Sequence, residues 1–152
     1  MYLLGHLGLG YLFGSTVEKI FKMKYNIPFV LFCSLLPDLD IFFKDFLIHR
    51  GPTHSIVVFL ILFVPIYFVY PRSLPYFASY ASHLLVGDFF QYAPLQSLWP
   101  ISEAWIITPS SLRLYGTSEF LVEISLFIVM LILLYLRYKL NPKEFFVRFM
   151  TF

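Results

Sequence analysis

Glu119-Phe120-Leu121-Val122-Glu123-Ile124-Ser125-Leu126-Phe127-Ile128-Val129-Met130-Leu131-Ile132-Leu133-Leu134-Tyr135-Leu136 is an apolar run in which only Glu119 and Glu123 carry charge. Gly116-Thr117-Ser118 precedes it and reads as a helix start, with Thr117 or Ser118 as N-cap and Glu119 in the first turn. The run approaches the ~20 apolar residues that a helix needs to cross a bilayer. Working back along the chain, further apolar stretches cover residues 1–14, 27–47, 54–71 and 75–90. Gly14-Ser15-Thr16 to Asn26, Gly51-Pro52, Pro71-Arg72-Ser73 and a long section from Gln91 to Ser118 separate them. Most of these stretches fall short of a full span. The pattern predicts an all-α, integral membrane helical bundle of four to five membrane segments, forming one domain over residues 1–152.

Composition agrees. Of 152 residues, 59% are hydrophobic and 21% aromatic, only 13% are charged, and the mean hydropathy is +0.77. A soluble domain carries about 25% charged residues, so lipid is the expected solvent. The net charge is +2 and no Lys/Arg run suggests a nucleic-acid surface. Cys33 is the single cysteine, which excludes an internal disulfide and reads as filler in an apolar helix. Residues 1–13 lack a basic leader and a cleavage-type site, so they read as a first membrane segment rather than a removed signal.

Basic residues set the expected orientation, because cytoplasmic loops are enriched in Lys and Arg. With the N-terminus outside, the C-terminus cytoplasmic and five alternating segments, Lys19, Lys22, Lys24, Arg72, Arg137, Lys139, Lys143 and Arg148 all face the cytoplasm. Only Lys44, Arg50 and Arg113 fall outside. The same arrangement gathers Asp38, Asp40, Asp45, Asp88, Glu103, Glu119, Glu123 and all four histidines on the outer face, leaving Glu18 and Glu144 inside. One polar site on the non-cytoplasmic side is therefore expected.

The residues gathered there are imidazoles and carboxylates, the ligand set of a zinc- or manganese-type centre. A charge deep in a membrane helix costs roughly 2.5–3.5 kcal/mol and usually marks function. Asp38 and Asp40 in Leu36-Pro37-Asp38-Leu39-Asp40 lie about 200° apart on a regular helix. Asp38 is the expected ligand, with Asp40 a second ligand or an acceptor that holds an imidazole. In His49-Arg50-Gly51-Pro52-Thr53-His54-Ser55, Gly51-Pro52 makes a turn and puts His54 at the start of the next helix. Arg50 is suited to a phosphate or carboxylate; His49 reads as a ligand, a proton shuttle or an exposed residue. His83 and Asp88 are five apart, about 140° around a helix, so a helix end or wide turn at Gly87 must bring Asp88 inward if both bind metal. His6, among Gly5, Gly8 and Gly10, is a ligand or a hydrogen-bonded core residue, its glycines allowing close helix packing. Glu123 is a candidate ligand or general base, whereas Glu119 favours its helix N-terminus. Leu98-Trp99-Pro100 and Trp105 fit an interfacial aromatic belt.

These motifs together resemble a membrane-bound, metal-dependent hydrolase family described as LexA-binding and inner-membrane-associated (YdjM-like). The resemblance rests on Leu36-Pro37-Asp38-Leu39-Asp40, His49-Arg50-Gly51-Pro52-Thr53-His54-Ser55, Ser82-His83-Leu84-Leu85-Val86-Gly87-Asp88 and Leu98-Trp99-Pro100, and spans most of the chain. That family is distantly similar to the helical zinc-dependent phospholipase C and nuclease superfamily. The likeness implies Asp38, His54, His83 and Asp88 as the main metal ligands, with His6 and Glu123 as outer members. Two departures matter: the His–Asp interval is five rather than four, and four histidines are too few for a full three-metal cluster. A one- or two-metal site follows.

The expected function is a membrane-bound, metal-dependent hydrolase with Zn2+ as cofactor and Mn2+ as the alternative. It would cleave a phosphate ester of a lipid or lipid-linked substrate. Asp38, Asp40, His49 or Glu123 would take a proton and Arg50 would hold phosphate. The rivals are a non-catalytic membrane scaffold or binding protein and a metal or proton transporter.

Overall fold

Helix α1 (Leu3–Phe21) is the axis against which most of the chain packs. The computed structural model describes residues 3–89, 94–107, 114 and 116–150; Arg113 and part of the section from Gln91 to Ser118 lie outside the described residues. Small residues on α1 let its neighbours approach backbone to backbone. A Cβ on Gly8 would stand 2.8 Å from the Leu126 carbonyl, and one on Gly10 would stand 2.3 Å from Ser34 Cβ and 2.6 Å from Ser79 Oγ. Close approach of this kind is how helices associate where lipid removes the hydrophobic drive between them.

The other helices follow from local signals. Asn26 caps α2 (Ile27–Leu35), its Oδ1 accepting from Phe29 N at 2.8 Å, and Pro28 occupies the first turn. Pro37 then diverts the chain into a 3-10 helix (Pro37–Phe43), so residues 27–47 are not one continuous segment. After a short 3-10 turn (Pro52–His54), Ser55 Oγ accepts from Val57 N and Val58 N and starts α3 (Ile56–Val69). Next come a 3-10 turn (Pro71–Ser73), α4 (Leu74–Ser82) and a π-helical turn (His83–Gly87). Helix α5 runs Gly116–Leu140, beginning ahead of the Thr117 or Ser118 cap expected from sequence. A last helix that the apolar runs did not announce, α6 (Pro142–Met150), is capped by Asn141, whose Oδ1 accepts from Glu144 N at 3.2 Å while its Nδ2 donates to Glu144.

The architecture is all-helical; among the described residues the nearest thing to a sheet is one isolated bridge, Leu95 to Ile106. Contacts fix the direction of each helix. Gly10 meets Ser34 and Ser79 and Gly14 meets Val30 and Pro75, so α2 and α4 run antiparallel to α1. Phe59 packs on Tyr80 and Phe63 on Phe77, so α3 runs antiparallel to α4. Gly8 meets Leu126 and Glu18 meets Arg137, so α5 runs parallel to α1. Directions therefore alternate from α1 to α5. Among the described residues α5 is the single helix both long and apolar enough to cross a membrane, with only 11% of its apolar window buried. Helix α3 is apolar throughout but shorter, and none of its 14 residues is buried.

The buried core is Tyr11, Tyr25, Ile27, Val30 and Met130, with Leu7, Phe127 and Phe145 packed around it. It separates two polar ends. One holds the histidines. At the other, Arg137 and Arg148 both pair with Glu18 and lie over the Tyr25 ring, 5.5 and 5.7 Å from its centre. Burial pushes the Tyr25 phenol above its ordinary value even with Arg137 Nη1 donating to its oxygen.

Candidate metal centre

His6 comes from the start of α1, Asp38 from the 3-10 helix after α2, His54 from the turn before α3, and His83 and Asp88 from the two ends of the π turn. The π turn answers the spacing problem posed by His83 and Asp88. Asp88 N donates to His83 O at 2.8 Å, an i→i+5 bond that widens the helix and returns both side chains to one side. All four rings join in one chain of contacts: His6 stacks on His83 at 3.7 Å, His83 meets His54 at 5.2 Å, and His54 meets His49 at 5.4 Å.

Four donor atoms face each other at the centre. His54 Nε2 lies 3.3 Å from Asp38 Oδ1 and 3.4 Å from Asp88 Oδ2. His83 Nε2 lies 3.6 Å from Asp38 Oδ1 and 3.4 Å from Asp88 Oδ2. Zinc holds N and O ligands at about 2.0–2.1 Å in a tetrahedron, whose edges are then about 3.3 Å. The four His–Asp separations match that edge, and the sets close enough to share one ion are triads: His54, His83 and Asp88; His6, Asp38 and His83; and Asp38, His49 and His54. His6 Nε2 stands 3.9 Å from the other oxygen of Asp38, so this carboxylate is shared by three imidazoles. Asp38 is the partly exposed member; His6, His54, His83 and Asp88 are buried.

Hydrogen bonds behind the rings set which nitrogen is bare. His83 Nδ1 donates to the Ser34 carbonyl at 2.8 Å, leaving Nε2 as a lone pair toward Asp88. Thr53 Oγ1 gives its proton to Asp40 Oδ2 at 2.7 Å and so accepts from His54 Nδ1 at 3.0 Å, again leaving Nε2 bare. Asp40 is the hub of this outer layer. It also accepts from His49 Nδ1 at 2.7 Å and from Arg50 N at 3.1 Å.

Charge makes the same point. Among the described residues, Asp38, Asp40 and Asp88 are met by one guanidinium, Arg50, whose Nη2 donates to Asp88 Oδ1 at 2.7 Å. With neutral imidazoles two negative charges remain, which one divalent cation balances. His83 Nε2 and Asp88 Oδ2 are buried and make no hydrogen bond among the described residues. Unsatisfied atoms of this kind in a dry site are costly, and a bound cation satisfies both. The donor set fits a divalent metal.

The sequence model of the family described as YdjM inner membrane protein matches residues 1–148. The chain belongs to the YdjM inner membrane protein family. No curated protein and no solved structure matches it. Membership of this family agrees with the exposed apolar surface of α5 and α3. The matched span contains every residue singled out from the motifs.

Within this YdjM chain, the structure brings His6, Asp38, His54, His83 and Asp88 together, with Asp40, His49 and Arg50 directly behind or beside them. His49 is partly open to solvent and also joins a group with Asp38 and His54 close enough to share an ion. Arg50 has a positive φ of 63° and a buried guanidinium turned to Asp88 rather than to open solvent. Glu123 is buried on α5, one turn before Leu126 and so level with the start of α1, but it is in none of the metal-capable groups. Sequence reasoning missed Ser34 and Thr53 as the groups that orient His83 and His54. Thr53 carried a signal, standing between two histidines; Ser34 acts through its backbone carbonyl and carried none. Segment 94–107 covers the site: Trp99 O accepts from Ser55 Oγ at 2.5 Å, and Gln96 N donates to Arg50 O at 2.9 Å. Beside His54 a cleft of about 190 Å³ opens between Ile56, Leu84, Leu85, Phe89, Leu95 and Ile106.

Proposed function

We propose that the protein is a membrane-embedded, metal-dependent hydrolase of phosphate esters, with Asp38, His54, His83 and Asp88 holding a divalent ion and His6 at its margin. The observation that carries this reading is the set of 3.3–3.6 Å separations between His54 or His83 Nε2 and the Asp38 or Asp88 oxygens. Zinc is the favoured ion and manganese the alternative. When bound, such an ion lowers the pKa of water and polarises a phosphoryl oxygen.

The chain's own groups supply the rest. Asp40 holds His49 through Nδ1, so the exposed edge of that ring is placed to take a proton at the site and pass it to solvent. Arg50 fixes Asp88 in place through Nη2. The apolar cleft beside His54 suits the chain of a lipid or lipid-linked substrate. The N-terminus and the site lie on the non-cytoplasmic side in this reading, because the cationic residues collect at the opposite end of the bundle.

The test is phosphodiesterase and phospholipase turnover by purified protein before and after chelation. Loss on chelation with recovery on adding zinc or manganese supports the reading. Turnover unaffected by chelator removes it.

A further inference from the structure

At the end of the bundle away from the histidines, a cleft of about 450 Å³ opens between the turn after α1, the start of α2, the 3-10 turn Pro71–Ser73 and α6. Lys22, Lys24, Arg72 and Arg148 line it together with the polar groups of Asn26 and Tyr76. His6 and Glu18 are twelve residues apart on α1, so the two ends are separated by about 18 Å. We infer that this cleft is a second binding site, specific for a phosphate anion and suited to the headgroup of an anionic phospholipid.

The charge is unbalanced. Among the described residues, Lys19, Lys22, Lys24, Arg72, Arg137 and Arg148 gather here around two carboxylates, Glu18 and Glu144. Glu18 is taken by Arg137 and Arg148, and Glu144 by Arg148 with Lys24 at 3.6 Å. Lys22 and Arg72 have no ion-pair partner among the described residues, yet both line the cleft. Lys22 sits at φ 58°, directly after α1, a left-handed position where glycine is the cheaper residue. The chain places a cation there instead.

The rim favours a lipid as the source of the phosphate. Tyr70 and Val147 line the cleft and are 51% and 55% exposed, and their chain neighbours Val69 and Phe146 are exposed as well. A cationic hollow with an apolar rim matches a headgroup whose acyl chains continue along the protein surface, and basic pockets between membrane helices bind anionic headgroups in this way.

The test uses the full chain in detergent, titrated with phosphatidylglycerol or phosphatidylcholine and read by native mass spectrometry, with inorganic phosphate followed separately by thermal unfolding. Wild type is expected to retain phosphatidylglycerol preferentially. The K22Q/R72Q double variant is expected to bind it about tenfold more weakly, with an unchanged melting temperature in the absence of ligand. The K139Q/K143Q pair, basic but outside the cleft, is expected to stay within about twofold of wild type. Stabilisation by inorganic phosphate that the double variant loses, without a lipid preference, keeps the anion site and makes its ligand a soluble phosphate. Equal binding of both ligands by wild type and K22Q/R72Q overturns the inference, as does an equal loss in K139Q/K143Q, which would mark diffuse surface charge.

Discussion

His83 and Asp88 bring Nε2 and Oδ2 to 3.4 Å across a single π-helical turn. Gly87 closes that turn against the His6 ring. A Cβ there would lie 2.4 Å from His6 Cε1, so the Gly87→Ala variant must move either the imidazole or the turn. The expected cost is about 1–3 kcal/mol of stability together with a lower metal content. Thermal unfolding and elemental analysis of the variant check both, and wild-type values in each would contradict the packing described.

Asp40 accepts from His49, Thr53 and the Arg50 backbone, and it does so from behind the His54 ring. Asp40→Asn is therefore expected to weaken metal binding by about 10–100-fold, as loss of an outer-layer partner does, measured by competition with a chromogenic chelator. His49→Ala should separate the roles: metal retained, turnover reduced. Loss of metal in both variants would instead make His49 a ligand.

Much of this arrangement is legible in the sequence because charge sorts the ends. Assigning Lys19, Lys22, Lys24, Arg72, Arg137 and Arg148 to one side is enough to place His6, His54 and His83 together on the other, and the alternating directions of α1 to α5 agree. What is not legible lies in backbone hydrogen bonding. The five-residue interval between His83 and Asp88 calls for a helix end or wide turn at Gly87, but the Ser34 carbonyl that orients the His83 ring has no signature of its own. Pro37 marks a possible kink or new turn inside the apolar run 27–47, but its continuation as a 3-10 helix over Pro37–Phe43 is not legible, because the residues after it are as apolar as those before. Helix α6 did carry a signal, Asn141-Pro142 followed by Glu144, in a segment too polar to stand out as apolar.

Gly10 is the tightest point of the α1 packing, against Ser34 and Ser79 at once. Gly10→Val is expected to destabilise by about 1–3 kcal/mol or more by forcing α2 and α4 away. Because those helices lead into Asp38 and His83, metal loading should fall as well. Unfolding curves and metal content of this variant, compared with a substitution on the exposed face of α5, provide the check.

At the far end, hydrogen bonds and charge from Arg148 hold the Glu144 carboxyl below its ordinary value. A depressed carboxyl stabilises the folded state above its unfolded pKa, and that contribution is lost as pH falls through the folded value. Docking of α6 should weaken on acidification in wild type, and this pH dependence should be reduced in Glu144→Gln. The neutral-pH loss in that variant should be small, since Glu144 is partly open to solvent and Arg148 keeps Glu18 as a partner. Arg148→Ala should cost more, about 2 kcal/mol, because it also strips a partner from Glu18 and the cation from the Tyr25 ring. Melting curves from pH 3 to 7 measure both effects.

The central claim is that the converging imidazoles and carboxylates hold a divalent metal, and elemental analysis of the purified, folded protein tests it most directly. The account predicts at least one zinc or manganese per chain, lost in His54→Ala and His83→Ala while both variants remain helical by circular dichroism. Folded wild-type protein without stoichiometric divalent metal, after purification free of chelators and with zinc and manganese supplied, would contradict it.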